Sequence, residues 1–236
     1  MTTMQKKMDR ILANARAARQ SRQNTMDSNE LSRLIEMAMK DALYRSGVSK
    51  RFRLARMEDF SKSFQEAARQ KQNLFMYGPR GVGKTHYLCA CLRDLLRQEM
   101  EEEFEDPAKP GSIMQAPQTA LNPPAAFLPV PELMLEFKHS YSRNANETET
   151  QVLARYSNIK ILALDDLGAE RVSDWSIQML YLLIDRRYRE MRQTLISSNM
   201  SLSEIAESFD DRIASRISEM CQIVKFDGED RRLRRR

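Results

Sequence analysis

The chain has 236 residues, 42% of them hydrophobic, and its 38 Lys/Arg against 33 Asp/Glu give a formal net charge of +5. That length holds one α/β domain with a small appendage. No run nears the ~18 consecutive apolar residues of a membrane span, and no charged-then-apolar signal opens the chain, so no membrane contact and a cytoplasmic location are expected.

Residues 1–23 are polar and rich in Arg, Gln and Ala, at best a weakly amphipathic helix. Residues 1–56 carry thirteen Lys/Arg against five Asp/Glu, and the chain ends Arg231-Arg232-Leu233-Arg234-Arg235-Arg236. Basic ends fit a polyanionic partner, nucleic acid first, or else two solvated tails. Asp27 and Glu30 have capping-box spacing, and Leu31, Leu34, Ile35, Ala38 and Ala42 then form one helical stripe ending near Gly47. Such a stripe docks on its own core or on a partner protein.

The expected division is a helical N-terminal segment over 1–46, a lead-in over 47–60 and the main domain over 61–236. Leu74 to Tyr77 is a short apolar strand, and residues 84–98 are a helix. Glu101 to Pro124, acidic and then Pro-rich, reads as an exposed insertion (about 101–124). A strand follows at Ala125–Val130 and a helix at about Glu132–Tyr141. After the polar stretch Ser142–Thr150 comes a short helix, then the continuous apolar run Ile159–Leu164 of a parallel strand buried on both faces. A helix over 174–191, a strand Thr194–Ser198, a helix Ile205–Met220 and a strand Ile223–Phe226 complete the pattern. Strands alternating with helices predict α/β architecture, a parallel sheet covered by helices in a three-layer αβα arrangement. The thiols of Cys89, Cys91 and Cys221 lack metal spacing and are read as reduced.

The chemistry is carried first by Gly78-Pro79-Arg80-Gly81-Val82-Gly83-Lys84-Thr85-His86, directly after the Leu74–Tyr77 strand and before a helix. Gly78, Gly83, Lys84 and Thr85 have the G-x-x-x-x-G-K-[ST] spacing of a phosphate loop. Glycines let backbone N–H groups close round a phosphate. Lys84 then reaches the β- and γ-phosphates of ATP, and the Thr85 hydroxyl reaches Mg²⁺. The strand Ile159–Leu164 ends in Asp165-Asp166, at the edge where parallel sheets bind ligands. Asp165 suits Mg²⁺, which takes hard oxygen ligands and keeps waters; Asp166 can orient and deprotonate an attacking water. Asn199 ends the next strand at the same edge, able to hydrogen-bond the water and γ-phosphate or simply to cap a turn. Arg212 and Arg216 lie four apart on one helical face. They are either solvated or, functionally, Arg216 enters the ATP site of a neighbouring copy with Arg212 in support.

The order phosphate loop, LALDD, ISSN, DRIASRI and FDGEDRR resembles the AAA+ ATPases, and more narrowly the DnaC/DnaI-type helicase loaders and IstB-type transposition ATPases. The segment GVSKRFRLARMEDF and the LGAE after the two acids are similar to that clade, over roughly residues 46–236. The resemblance implies Arg216 as the finger, Arg232 (or Arg231) as a second nucleotide sensor, and no separate helical lid domain. It also implies single-stranded DNA gripped near Glu132–Asn158, where Lys138, Tyr141 and Arg143 stand, with Arg171 beyond the acidic strand. An aromatic beside Lys/Arg suits single strands, by base stacking and phosphate neutralisation. The implied activity is ATP hydrolysis between subunits of a ring or spiral homo-oligomer that loads a DnaB-type replicative helicase held by residues 1–46. A transposition regulator on duplex DNA is the alternative, and a non-hydrolysing nucleotide switch a further one.

Overall fold

The computed structural model describes residues 28–70, 73–105, 124–140, 145–169 and 173–230. The contacts divide the chain into two units, Met1–Ala38 and Met39–Arg236. The described part of the first, residues 28–38, is helical throughout, within α1 (Ser28–Arg45). The expected cap at Asp27 lies outside the described residues.

The second unit is built on five parallel strands, β1 (Leu74–Tyr77), β2 (Ala125–Pro129), β3 (Ile161–Leu167), β4 (Gln193–Ser198) and β5 (Gln222–Lys225), in the order β2-β3-β4-β1-β5. A strand buried on both faces must be apolar at every position, and β1 and the first part of β3 are: Leu74, Phe75 and Met76, then Ile161 to Leu164, are at most 1% exposed. Alternation divides them between the layers. Phe75, Leu162, Leu164 and Ile196 join a core with α4 (Val130–His139), α5 (Glu149–Asn158), α6 (Asp174–Arg189), α7 (Leu202–Ser208) and α8 (Asp211–Met220). Helix α3 (Lys84–Glu105) packs on β1 to β4, and α2 (Lys62–Gln70) precedes β1.

Local chemistry starts these helices where they start. Thr148, Ser173 and Ser201 are the N-caps of α5, α6 and α7, each closing a capping box. Two boundaries correct the sequence reading. Helix α3 runs on to Glu105, so the acidic run from Glu101 begins as helix and not as an exposed insertion; residues 106–123 lie outside the described residues. The single helix expected over Ile205–Met220 is two. It breaks at Phe209, and Asp210 caps the second by accepting from Arg212 N at 2.7 Å. Among the described residues no helix is long and apolar enough to cross a membrane.

Candidate nucleotide site

The sheet order puts β1, β3 and β4 side by side, so the loops that leave them meet at one edge. The loop after β1 can fold tightly only because of its glycines. Gly78 has φ 147, and a Cβ there would strike the backbone oxygen of Phe226, just beyond β5. At Gly81, φ 77, a Cβ would fall on the Asp230 carboxylate. The chain after β5 therefore packs against the phosphate loop, a closeness no motif foretells.

Lys84, 5% exposed, donates from Nζ to the Gly78 and Pro79 carbonyls, each at 2.7 Å, and to Asn199 Oδ1 at 2.8 Å. Thr85 Oγ1 donates to Asp165 Oδ1 at 3.1 Å and Oδ2 at 3.0 Å. Thus residues 115 and 80 positions apart meet as their motifs require. Asp165 is 5% exposed; burial pushes its pKa up and Asp166 adds to that, while hydrogen bonds from Ser197 and Thr85 pull it down. Asp166 is half-buried with φ 57, and its carbonyl accepts from Ala169 N at 3.0 Å.

The remaining loop residues frame this centre. Pro79 and Arg80 are exposed and Val82 is buried. His86 Nε2 pairs with Asp59 Oδ2 at 2.8 Å, between the rings of Phe52 and Phe60. That hydrogen bond holds the Asp59 carboxyl below its usual range, with help from the Arg56 N–H.

Arg216 lies elsewhere on its own chain. Its hydrogen bonds run to Asp185 and Tyr181 of α6 and to the Arg212 carbonyl. Arg212 stands over the Tyr181 ring at 4.5 Å and is bound to Asp210. Of the DNA-contact set only Lys138 is described. It is exposed and sits 5.9 Å from the centre of the Trp175 ring, whose Nε1 donates to Glu149. Tyr141, Arg143, Arg171, Arg231 and Arg232 lie outside the described residues.

The residues present fit ATP and Mg²⁺. A buried ammonium sits among loop carbonyls, and a hydroxyl beside a carboxylate is the hard-oxygen donor set that magnesium takes. Among the described residues no group of three or more His, Cys, Asp or Glu is placed to hold a metal by itself, as is usual where phosphates share the coordination. A glycine-rich loop between a parallel strand and a helix, facing an acidic strand end, defines a P-loop nucleotide-binding protein of the α/β class.

The comparisons narrow that class. The model of the IstB-like ATP binding protein family matches residues 126–236. The replicative helicase loader DnaI of Bacillus subtilis (strain 168) is 27% identical over 187 residues, covering 74% of this chain and 51% of that protein. An insertion-sequence ATP-binding protein of Bacillus thuringiensis subsp. berliner is 24% identical over 170 residues, 70% of this chain and 57% of the other. Among solved structures, a DnaC helicase loader superposes with a TM-score of 0.54 at 22% identity, covering 76% of this chain and 100% of that one. The chain is thus similar to the DnaC/DnaI helicase loaders and to the IstB-like ATP binding proteins, and it shares the α/β fold of the DnaC loader. It spans about half the length of the curated relatives it matches.

Sequence reasoning missed three residues of this neighbourhood. Asp59 was visible only as part of the lead-in. Ser197 is the first serine of ISSN, and Asp185 is an acid among the arginines that end its helix. Each works through a partner at least 27 positions away.

Proposed function

We propose that this chain is a cytoplasmic ATPase that assembles on single-stranded DNA as a ring or spiral and loads a hexameric replicative helicase, hydrolysing ATP at subunit interfaces. The observation that carries it is the meeting of Lys84 with Asn199 and of Thr85 with Asp165 at one sheet edge. The similarity to DnaI supports the loader role.

Lys84 meets phosphate charge from within the loop, and the loop N–H groups orient the same anion. Thr85 and Asp165 would hold Mg²⁺, which when bound neutralises charge on the phosphates. Asp166 takes the proton of the attacking water, Asn199 orients that water against the γ-phosphate, and Arg216 arrives from a neighbouring copy to stabilise the transferring group. Arg232 senses the nucleotide in this reading. Lys138, Tyr141, Arg143 and Arg171 contact the DNA strand, and residues 1–46 dock on the helicase.

The deciding experiment is a pull-down with the purified chain against the host replicative helicase and host transposases, with and without ATP. Helicase retained in an ATP-dependent manner is expected. The family-model match over residues 126–236 favours a second reading, an IstB-like ATPase that binds duplex DNA and recruits a transposase. Retention of transposase instead of helicase selects that reading.

A further inference from the structure

Strand β4 pairs with β3 in steady register from Ile161↔Gln193 to Leu164↔Ile196, and pairing resumes at Leu167↔Ser198. Between those points β3 has two residues, Asp165 and Asp166, and β4 has one, Ser197. This two-against-one count is a bulge, which bends a strand and redirects its side chains. Asp166 sits at its apex in the left-handed region, φ 57, a conformation that a non-glycine residue keeps only when its surroundings hold it there.

Its carbonyl accepts from Ala169 N, and one hydroxyl of the next strand ties down its N–H. Ser197 Oγ donates to Asp165 Oδ1 and accepts from the Asp166 backbone N–H at 3.1 Å. A serine hydroxyl has one proton and two lone pairs, and an ionised carboxylate only accepts, so the direction of both bonds is settled. Ser197 is fully buried, on a central strand. Thr85 Oγ1 reaches the same Asp165 carboxylate from α3. The carboxylate is thereby held between two hydroxyls, one of them tied to the backbone of the next acid.

We propose that Ser197 is the positioning residue of both acids. It aims the Asp165 carboxylate through its own proton, and it fixes the bulge from which the Asp166 side chain projects. This rests on the reading of Asp165 as metal-holding and Asp166 as the acceptor of the water proton. Ser197 acts through these two acids, by its bonds to the Asp165 carboxylate and the Asp166 N–H.

The test compares Ser197→Ala and Ser197→Thr with the wild-type chain by thermal unfolding, by binding of a fluorescent ATP analogue in EDTA and across a Mg²⁺ titration, and by steady-state hydrolysis. In Ser197→Ala, metal-free affinity should stay within about threefold. The tightening produced by Mg²⁺ should weaken, and kcat should fall about 10²-fold, the penalty of a misplaced reacting group. Ser197→Thr, which keeps the hydroxyl, should recover most of both. Wild-type kcat and Mg²⁺ response in folded Ser197→Ala overturn the proposal, whatever the threonine variant does. So does a folded Ser197→Thr as impaired as the alanine. If Lys84→Ala binds the analogue as well as wild type does, the nucleotide-site reading itself fails, and that outcome is separate from any result at Ser197.

Discussion

Arg216 Nε donates to Asp185 Oδ1 across 2.6 Å, while the other oxygen of that carboxylate pairs with Arg189 Nε at 2.9 Å. The Arg216 guanidinium also lies 5.0 Å from the Tyr181 ring centre and 5.7 Å from that of Tyr188, with 25% of its side chain exposed. An arginine that is to serve another molecule has to be held without being hidden. A carboxylate on one side and two aromatic faces beside it do that, and raise its pKa chiefly through the Asp185 hydrogen bond, so it stays charged.

If Arg216 acts on a neighbour's ATP, its loss spares binding. Arg216→Ala should keep nucleotide affinity within a few-fold and lower kcat by about 10³-fold or more, the scale of arginine fingers. Mixing it with Lys84→Ala should restore hydrolysis, because each variant supplies the part the other lacks. Mixtures that remain inactive, although they assemble, would place Arg216 outside the reaction.

Lys84 and Asn199 make a second prediction. The ammonium bridges the loop carbonyls of Gly78 and Pro79 to the amide oxygen of Asn199. Lys84→Ala should abolish measurable ATP binding. Asn199→Ala should cost binding far less than hydrolysis, with kcat down about 10²-fold, if the amide acts on the water and γ-phosphate as proposed. Equilibrium binding and turnover on the same preparations check the split; equal losses in both would make Asn199 a loop support alone.

What could be seen in the sequence and what could not divide along one line. The phosphate loop, the acid pair and the alternation of strands are written in contiguous residues, so they could be seen. The break at Phe209 was written there too, as Ser-Phe-Asp-Asp, but the apolar period on either side outweighed one capping aspartate. Helix α3 outran its expected end because Glu, unlike Pro or Gly, is a good helix former even at the end where the macrodipole disfavours it. Ser197 and Asp185 were invisible for a different reason. A two-against-one bulge and a cross-helix ion pair are relations between segments 31 or more positions apart, and no local pattern encodes them.

Asp210 links helix α8 to pH. Hydrogen bonding from Arg212 pulls its carboxyl down to about 2, against 3.8 in an unfolded chain. A depressed folded value stabilises in full above the unfolded one, so this contribution is complete above about pH 4 and is lost as pH falls through about 2. Asp210→Ala should cost about 1 kcal/mol at neutral pH, the worth of an N-cap. Urea unfolding of both chains from pH 7 downward should show that gap constant to about pH 4 and narrowing below. A gap that widens in acid would contradict the cap.

Among the described residues Arg187 is the largest fully buried side chain, and no carboxylate there is among its hydrogen-bond partners. Its guanidinium donates to the carbonyls of Tyr156 and Ile159, both at 2.8 Å, to Ser157 at 3.3 Å, to Gln193 at 2.5 Å and to Thr194 Oγ1 at 3.0 Å. The Tyr156 and Ser157 carbonyls are among the last acceptors of α5, which have no partner within the helix; Ile159 is its C-cap, and Gln193 is the entry to β4. Burial and nearby Arg192 lower its pKa to about 9, so it remains a cation at neutral pH, facing the negative end of the α5 dipole. One planar fork thus ties a helix end to the starts of β3 and β4, the strands whose far ends carry Asp165, Ser197 and Asn199. Arg187→Ala strands several buried acceptors in a cavity and should cost about 3–5 kcal/mol in denaturant unfolding. Arg187→Lys should recover only part, because an ammonium cannot span both sets of carbonyls. The fraction that stays folded should bind ATP normally, since no donor of the nucleotide site is lost. A cost under about 1 kcal/mol would mean that water replaces the guanidinium at no loss.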